Sequence, residues 1–404
     1  MSSKRKGWLS PINAVVLTQF ISSFADNINF FLIVGLVKRQ GVDNPDTVVA
    51  YIQMAFLFAY IILAPVVGAF ADKTAKSRVL TMGNLLKGGG ILLLLFGVHP
   101  AICYLLLGIG AVVYSPAKYG ILSELTASEG ELLRANAKIE GGTILAILLG
   151  TVTGGLLAKN SDLPGIIACL LLYGVSLALT WFVPMKAGDR SIRYGAASKQ
   201  FFRDCGVLLR NRRARFSLIG TSAFWLTATV LRIALIAWLP INLGITDTDQ
   251  QSMIIGVTAI GVVVSAFLTP RLVPEGKLHR SFFYGLLMVT AVMVAAFTYS
   301  LGITVTLLFF TGIFGGIFLI PLNTMLQEEG ASLIGPGKTI AVQNLSENTL
   351  TVVGLGIYLT LSEMGVSVNL SVVGIGTVLL LFILFLGTQV GSIRHKSPEA
   401  LRHR

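Results

Sequence analysis

Five charged side chains sit inside stretches that are otherwise almost wholly apolar: Asp26, Lys87, Lys118, Arg232 and Glu347. A charge at the centre of a bilayer costs about 2.5–3.5 kcal/mol on insertion scales, so it persists where it pairs, lines a polar path or meets a charged solute. Asn27 follows Asp26, and Gln343 and Asn344 precede Glu347, which places hydrogen-bonding groups beside each carboxylate. Asp26 and Arg232, of opposite sign, would balance each other directly or contact the two charges of a zwitterion. A static pair that only fixes helix packing is the alternative. Lys87 is expected on a peripheral helix, where its long side chain either snorkels to the interface or serves a functional role. Lys118 follows Pro116 in Tyr-Ser-Pro-Ala-Lys-Tyr-Gly, one turn from a helix end, where the proline frees a backbone carbonyl. Glu124, Glu140 and Glu329 fall at helix ends within reach of loop arginines, as gating groups or as a solvated edge.

No pattern for enzyme chemistry is present: there is no HExxH, no GxSxG and no pair of catalytic carboxylates on one helix face. Cys103, Cys169 and Cys205 are odd in number and lack ligand spacing, so they read as free thiols. The four histidines, His99, His279, His395 and His403, lie at helix ends or in the tail. A catalytic residue, a metal and a cofactor are therefore not expected.

The elements that position these charges follow from composition. The chain has 404 residues, 54% apolar and 12% charged, against about 25% charged in a soluble domain. A net charge of +12 in a soluble protein would suggest nucleic acid. Here the basic residues occupy short loops between apolar runs, which points to membrane orientation and to no nucleic-acid partner. Crossing about 30 Å of hydrocarbon takes roughly 20 residues of helix, because lipid cannot satisfy backbone polar groups. Twelve stretches qualify, near residues 12–36, 51–71, 79–98, 101–122, 137–158, 164–183, 216–243, 252–272, 279–300, 303–326, 338–361 and 367–390. The first is too long for a cleaved signal peptide and carries Asp26 at its centre.

Lysine and arginine gather on one side of this arrangement: Lys4, Arg5 and Lys6, then Lys73, Lys76 and Arg78, Arg134 and Lys138, the loop 184–215, Arg271, Lys277 and Arg280, Lys338, and the C-terminal tail. The other side holds Lys38, Arg39 and Lys159. The positive-inside rule then places both termini in the cytoplasm.

The longest loop, 184–215, separates a six-helix half at 1–183 from a second at 216–404. Within it Phe201, Phe202, Cys205, Leu208 and Leu209 alternate at helical spacing with Arg203, Arg210, Arg212 and Arg213. That pattern predicts a surface helix lying on anionic headgroups, with a merely soluble basic linker as the alternative. The halves repeat at an offset of about 206 residues: Pro116 and Glu124 match Pro321 and Glu329, Lys118 aligns with Asn323, Asn136 and Glu140 match Gln343 and Glu347, and Asp26 matches Arg232. The expected fold is all-α and polytopic, twelve transmembrane helices in two pseudo-symmetric halves.

The loop after the second helix reads Gly68-Ala-Phe-Ala-Asp72-Lys73-Thr-Ala-Lys76-Ser-Arg78. Gly68 permits close helix approach, Asp72 can accept hydrogen bonds at the N-terminus of the helix that follows, and the cations can bridge to neighbours or phosphates. It resembles the signature loop of the major facilitator superfamily, with Ala75 in place of the inner glycine and Ser77 in place of the last base. Four further stretches, Gln19–Asn27, Tyr114–Leu122, Arg215–Ser222 and Ala341–Asn348, resemble the bacterial lysophospholipid transporters of that superfamily.

The resemblance implies a monomeric inner-membrane protein that carries lysophospholipids, chiefly lysophosphatidylethanolamine, from the outer to the inner leaflet. There a functionally linked acyl-ACP synthetase and acyltransferase (Aas) reacylates them. It also implies that Asp26, Lys118, Arg232 and Glu347 are charged cavity positions. Asn27, Gln343 and Asn344 join them as substrate contacts, and Gly68, Asp72, Lys73, Arg78, Glu140 and Lys87 are candidates for gating. A phosphate asks for Arg232 or Lys118 and an ammonium for Asp26 or Glu347. The single acyl tail asks for lateral entry from the membrane, followed by rocking of the halves. The alternative is a major facilitator exporter of drugs or small solutes that uses Asp26 or Glu347 as its proton-linked carboxylate.

Overall fold

The computed structural model describes residues 9–39, 45–158, 162–246 and 248–393. Lys4, Arg5, Lys6, Lys159 and the basic tail from 394 onward, on which part of the orientation rests, lie outside the described residues. Thirteen α-helices follow one another: α1 (Pro11–Arg39), α2 (Pro45–Lys73), α3 (Lys76–Leu95), α4 (Pro100–Leu125), α5 (Glu129–Leu157), α6 (Leu163–Thr180), α7 (Tyr194–Arg210), α8 (Arg212–Leu243), α9 (Thr248–Leu272), α10 (Ser281–Ala295), α11 (Leu301–Leu333), α12 (Pro336–Glu363) and α13 (Val368–Ile393). A 3-10 turn at Leu278–Arg280 leads into α10, and no strand occurs among the described residues.

Eleven of these helices are long and apolar enough to cross a membrane. Helix α12 is the twelfth of the expected set: its 28 residues would span the hydrocarbon at ~1.5 Å per residue. Lys338, Gln343, Asn344, Ser346, Glu347 and Asn348 dilute its hydropathy. Helix α7 is the additional element, the amphipathic helix expected in the long loop, and it begins seven residues ahead of the Phe201 at which the sequence pattern becomes plain.

Helix ends follow local chemistry. Proline opens α1, α2, α4 and α12, where its missing N–H would have had no intrahelical partner. Asn211 caps α8 by accepting hydrogen bonds from the backbone N–H groups of Arg213 and Ala214, each at 3.0 Å. Gly244, at φ +67°, ends the same helix in the left-handed conformation that glycine adopts without strain. Pro65, Pro116, Pro240, Pro270 and Pro321 lie inside helices, a placement tolerated in membrane bundles, where neighbours re-satisfy the freed groups.

The chain forms two compact units. The first comprises residues 1–127, 142–204 and 334–345, and the second 128–141, 205–333 and 346–404. The opening turns of α5 thus pack with the second unit, and those of α12 with the first. In the first unit Ala25, Ile28 and Leu32 of α1 meet Ile91 of α3, Leu107 of α4 and Cys169 and Tyr173 of α6. In the second, Phe216 of α8, Met288 and Val289 of α10, Phe318 of α11 and Leu379, Ile383 and Leu386 of α13 form the largest core. Small residues set the tightest crossings, as expected where packing rather than water drives helix association. A methyl group added at Gly110 of α4 would lie 2.7 Å from the Gly83 carbonyl oxygen of α3 and 2.8 Å from Lys87 Cγ.

Candidate functional site

Thr18, Ser22 and Asp26 recur every fourth residue along α1, so they share one helix face. That face meets Asn84 and Lys87 on α3 and Tyr173 and Ser176 on α6. Asp26 Oδ2 accepts from Lys87 Nζ at 2.6 Å, and Oδ1 accepts from the Tyr173 hydroxyl at 2.7 Å. Lys87 also donates to Ser22 Oγ at 3.0 Å, and its ammonium lies 4.8 Å above the centre of the Tyr114 ring. Ser22 in turn donates to Asn84, Asn84 to Ser176, and Ser176 to the Thr18 carbonyl, over 2.8, 2.8 and 3.0 Å.

Lys87 therefore does not snorkel. Its side chain is 3% exposed, against 23% for Asp26. The close α3–α4 crossing at Gly83 and Gly110 encloses its stem and leaves α1 as the direction in which the ammonium can find a counter-charge. The built-in partner of Asp26 is thus Lys87. Arg232, in the middle of α8, is exposed and forms no ion pair among the described residues. Tyr173, Asn84 and Ser176 escaped the sequence reading; their signal was polar residues three or four apart on otherwise apolar helices.

The other predicted positions are distributed as follows. Asn27 is tied to its own helix, donating to the Ser23 carbonyl at 2.8 Å. Lys118 is buried, with its ammonium 4.1 Å from the centre of the Tyr119 ring. Asn344 donates to Ser115 on α4 at 3.0 Å. Gln343 is buried at 5%, and Glu347 is half-buried beside Ser346, whose hydroxyl meets that of Ser222 on α8 at 2.8 Å.

A second cluster occupies helix ends rich in lysine and arginine. The Asp72 carboxylate, at the end of α2, accepts from the backbone N–H of Gly337 at 2.7 Å and of Lys338 at 3.0 Å. It caps the N-terminus of α12, where unsatisfied donors and the helix dipole both favour an anion. Gly68 makes the approach possible, since a methyl group there would fall 2.7 Å from Lys338 Cα. Lys76 bridges Asp72, at 3.5 Å, and Glu124. Lys73 lies 4.4 Å from the centre of the Tyr194 ring, whereas Arg78 is exposed. A cavity of about 320 Å³ opens here, lined among others by Asp72, Lys76, Glu124, Lys186, Asp189 and Lys338. Hydrogen bonds from the Ser191 hydroxyl and backbone hold the Asp189 carboxyl below its ordinary pKa.

In the second unit the opening turns of α5 are held differently. Glu140 is not at a solvated edge: it is 3% exposed and accepts from Asn323 of α11 at 3.0 Å. Burial follows because α5 lies against α11 along this length. Asn136 donates to Thr324 and to Gln327 at 3.2 Å each, and Gln327 returns a bond at 2.9 Å. Beyond them Arg213 pairs with Glu129, Glu328 and Glu329 at 3.2, 3.4 and 3.1 Å. Among the described residues no group of histidine, cysteine and carboxylate side chains could hold a metal ion.

The profile of the Major Facilitator Superfamily matches residues 15–354. The chain belongs to the major facilitator superfamily. Within it, the chain is 43% identical over 358 residues, 88% of each chain, to the lysophospholipid transporter LplT of Yersinia enterocolitica. It is 39% identical over 375 residues, 92% of this chain and 94% of the relative, to the protein of that name from Photorhabdus laumondii. Two solved structures show the same fold at 15% identity. The human organic anion transporter MFSD10 superposes with a TM-score of 0.74 over 93% of this chain and 99% of its own. The E. coli fucose:proton symporter FucP gives 0.70 over 94% and 98%. In this major facilitator chain the superfamily's signature loop is the segment in which Gly68 and Asp72 hold the start of α12.

Proposed function

We propose that this chain is a lysophospholipid transporter, moving lysophosphatidylethanolamine and related lysolipids from the outer to the inner leaflet of a bacterial inner membrane for reacylation. One observation carries the reading: similarity at 39% and 43% identity, over about nine-tenths of the chain, to proteins named lysophospholipid transporter. Those names favour it over a proton-coupled exporter of drugs or small solutes.

The chemistry of the site supports it. A lysophosphatidylethanolamine headgroup brings one phosphate and one ammonium. Arg232 offers a guanidinium without an ion-pair partner among the described residues, suited to bidentate contact with phosphate oxygens. Lys118 is a second cation. Asp26 has its two oxygens engaged by Lys87 and Tyr173, yet keeps an exposed edge and spare lone pairs for an ammonium. Glu347, with Gln343 and Asn344 near by in sequence, is the other acceptor, and Asn27 adds a hydrogen-bonding group beside Asp26. Lys87 acts on Asp26 as a positioning residue.

The Asp72 clasp on α12, with Gly68, Lys73 and Arg78 around it and Glu140 on α5, is the gating element. Releasing the cap leaves the Gly337 and Lys338 N–H groups of α12 without their partner, so the clasp favours one state until substrate binding outweighs it. Substrate enters laterally, its tail remaining in lipid. The protein works as a monomer with both termini in the cytoplasm, and its product passes to the acyltransferase Aas.

The test is leaflet-resolved flipping of labelled lysophosphatidylethanolamine by purified protein in liposomes. Arg232→Ala is expected to remove most of the flipping while the protein stays folded and monodisperse. Unchanged flipping by that variant, or no flipping by the parent, overturns the reading.

A further inference from the structure

Helix α7 begins at Tyr194, beyond the loop that follows α6 at Thr180, and stops one residue, Asn211, before the membrane-length helix α8. Its inner face carries Ala197, Phe201, Asp204 and Leu208, exposed by 7, 3, 2 and 0%. Its outer face, on the opposite side of the helix, carries Phe202 at 70% and Leu209 at 44% exposure. Lys199, Arg203 and Arg210 flank them, all exposed. The helix has one acidic residue, Asp204, and that one is turned inward toward Lys338 at 3.8 Å. Near the other end Tyr194 is held under Lys73.

We infer that the outer face of α7 is a docking surface for anionic phospholipids. Three observations combine. The one-residue junction with α8 fixes the C-terminal end of α7 at the level where a membrane helix leaves the hydrocarbon, which is the headgroup layer. The exposed face is purely cationic in its charge, with the lone carboxylate withdrawn, so it complements phosphodiester headgroups and repels nothing in them. Phe202 and Leu209 project from the same face, matching an amphipathic helix seated in the interface with aromatic and aliphatic groups below and cations at headgroup depth. The contacts of Tyr194 and Asp204 hold the helix so that this face stays outward. The occupant is the bilayer surface itself, with lipids of the phosphatidylglycerol class as the bound chemistry.

The test places a reporter on the face. Phe202→Trp is introduced at an exposed position, and the parent, with its own four tryptophans, supplies the background. The protein is reconstituted with brominated phosphatidylglycerol or brominated phosphatidylcholine at equal mole fraction. Quenching of the added tryptophan is expected to be roughly twofold stronger with the anionic lipid. The excess should vanish in F202W carrying Lys199→Gln, Arg203→Gln and Arg210→Gln, and should fall with added salt in the unsubstituted background. Equal quenching by the two lipids overturns the inference, as does a preference that survives either the triple substitution or high salt. No lysolipid enters the measurement, so its outcome is independent of the transport assay.

Discussion

Asp26 on α1 and Arg232 on α8 occupy matching places in the two halves, yet the protein treats them in opposite ways. Asp26 is enclosed by a lysine, a tyrosine and a chain of hydroxyl and amide groups drawn from three helices. Arg232 is exposed and has no ion-pair partner among the described residues. The difference separates two uses of charge inside a membrane. A charge with a counter-ion built in contributes to how the unit packs and leaves only an edge for a solute. An exposed charge without one contributes little to packing and stays available to pair with a phosphate that arrives.

The first way to break the comparison is to remove the internal counter-ion. Lys87→Met leaves Asp26 unbalanced and should cost about 3–5 kcal/mol of stability, read as a large fall in the thermal midpoint of the purified protein. Asp26→Asn combined with Lys87→Met should recover much of that loss, because no charge then remains buried. If the double variant is no more stable than the single, the pair is not the structural unit described. Arg232→Ala tests the other side. Stability should change little, by about 0.5 kcal/mol or less, while lysolipid flipping falls roughly tenfold to a hundredfold, the range for a charge-assisted hydrogen bond. A stability loss comparable to that of Lys87→Met would place Arg232 in the packed class after all.

The same contrast can be sharpened at the helix ends, where the first unit uses a charged clasp and the second uses amides. Asp72→Ala removes the cap on α12 and should cost about 0.5–2 kcal/mol, detected as faster hydrogen exchange at Gly337 and Lys338. Asn136→Ala, which removes the reciprocal bonds to Gln327, should cost about 1 kcal/mol, and its effect should be indifferent to salt where that of Asp72→Ala is not.

The smallest effect is expected at Asp204, where burial raises the carboxyl pKa and Lys338 only partly opposes it. A folded-state pKa above the unfolded value favours the protonated form in the fold. The associated stability is complete below the unfolded pKa and lost as pH rises through the folded one. Asp204→Asn should therefore hold or slightly raise the thermal midpoint at neutral pH, by no more than about 1 kcal/mol, and flatten the dependence on pH in the acid range. A marked loss at neutral pH would show that the Lys338 pair outweighs burial.

The helix count, the two halves and the five intramembrane charges were legible in the sequence, because each depends on where apolar runs begin and end along one dimension. Asp72 was legible as a cap, although the helix that follows it was the one expected to receive it. Its partner at Gly337 was not, being some 265 positions away. Lys87 was misplaced for the same reason. Depth in a helix can be counted from residues, but the direction in which a side chain leaves it, and what waits there, depend on neighbouring helices. Glu140 shows it again: its position near a helix end suggested solvent, while the lie of α5 along α11 gave it Asn323.

By itself, then, the sequence determined that the chain crosses a membrane many times as two related halves and which residues are charged at depth, and it left the long loop between a basic surface helix and a soluble linker. Only the tertiary structure decided which of those charges are already satisfied. Pairing depends on helix azimuth and on how closely backbones approach. Here that approach is set by Gly83 against Gly110 and by Gly68 against α12, contacts between positions that no local pattern connects.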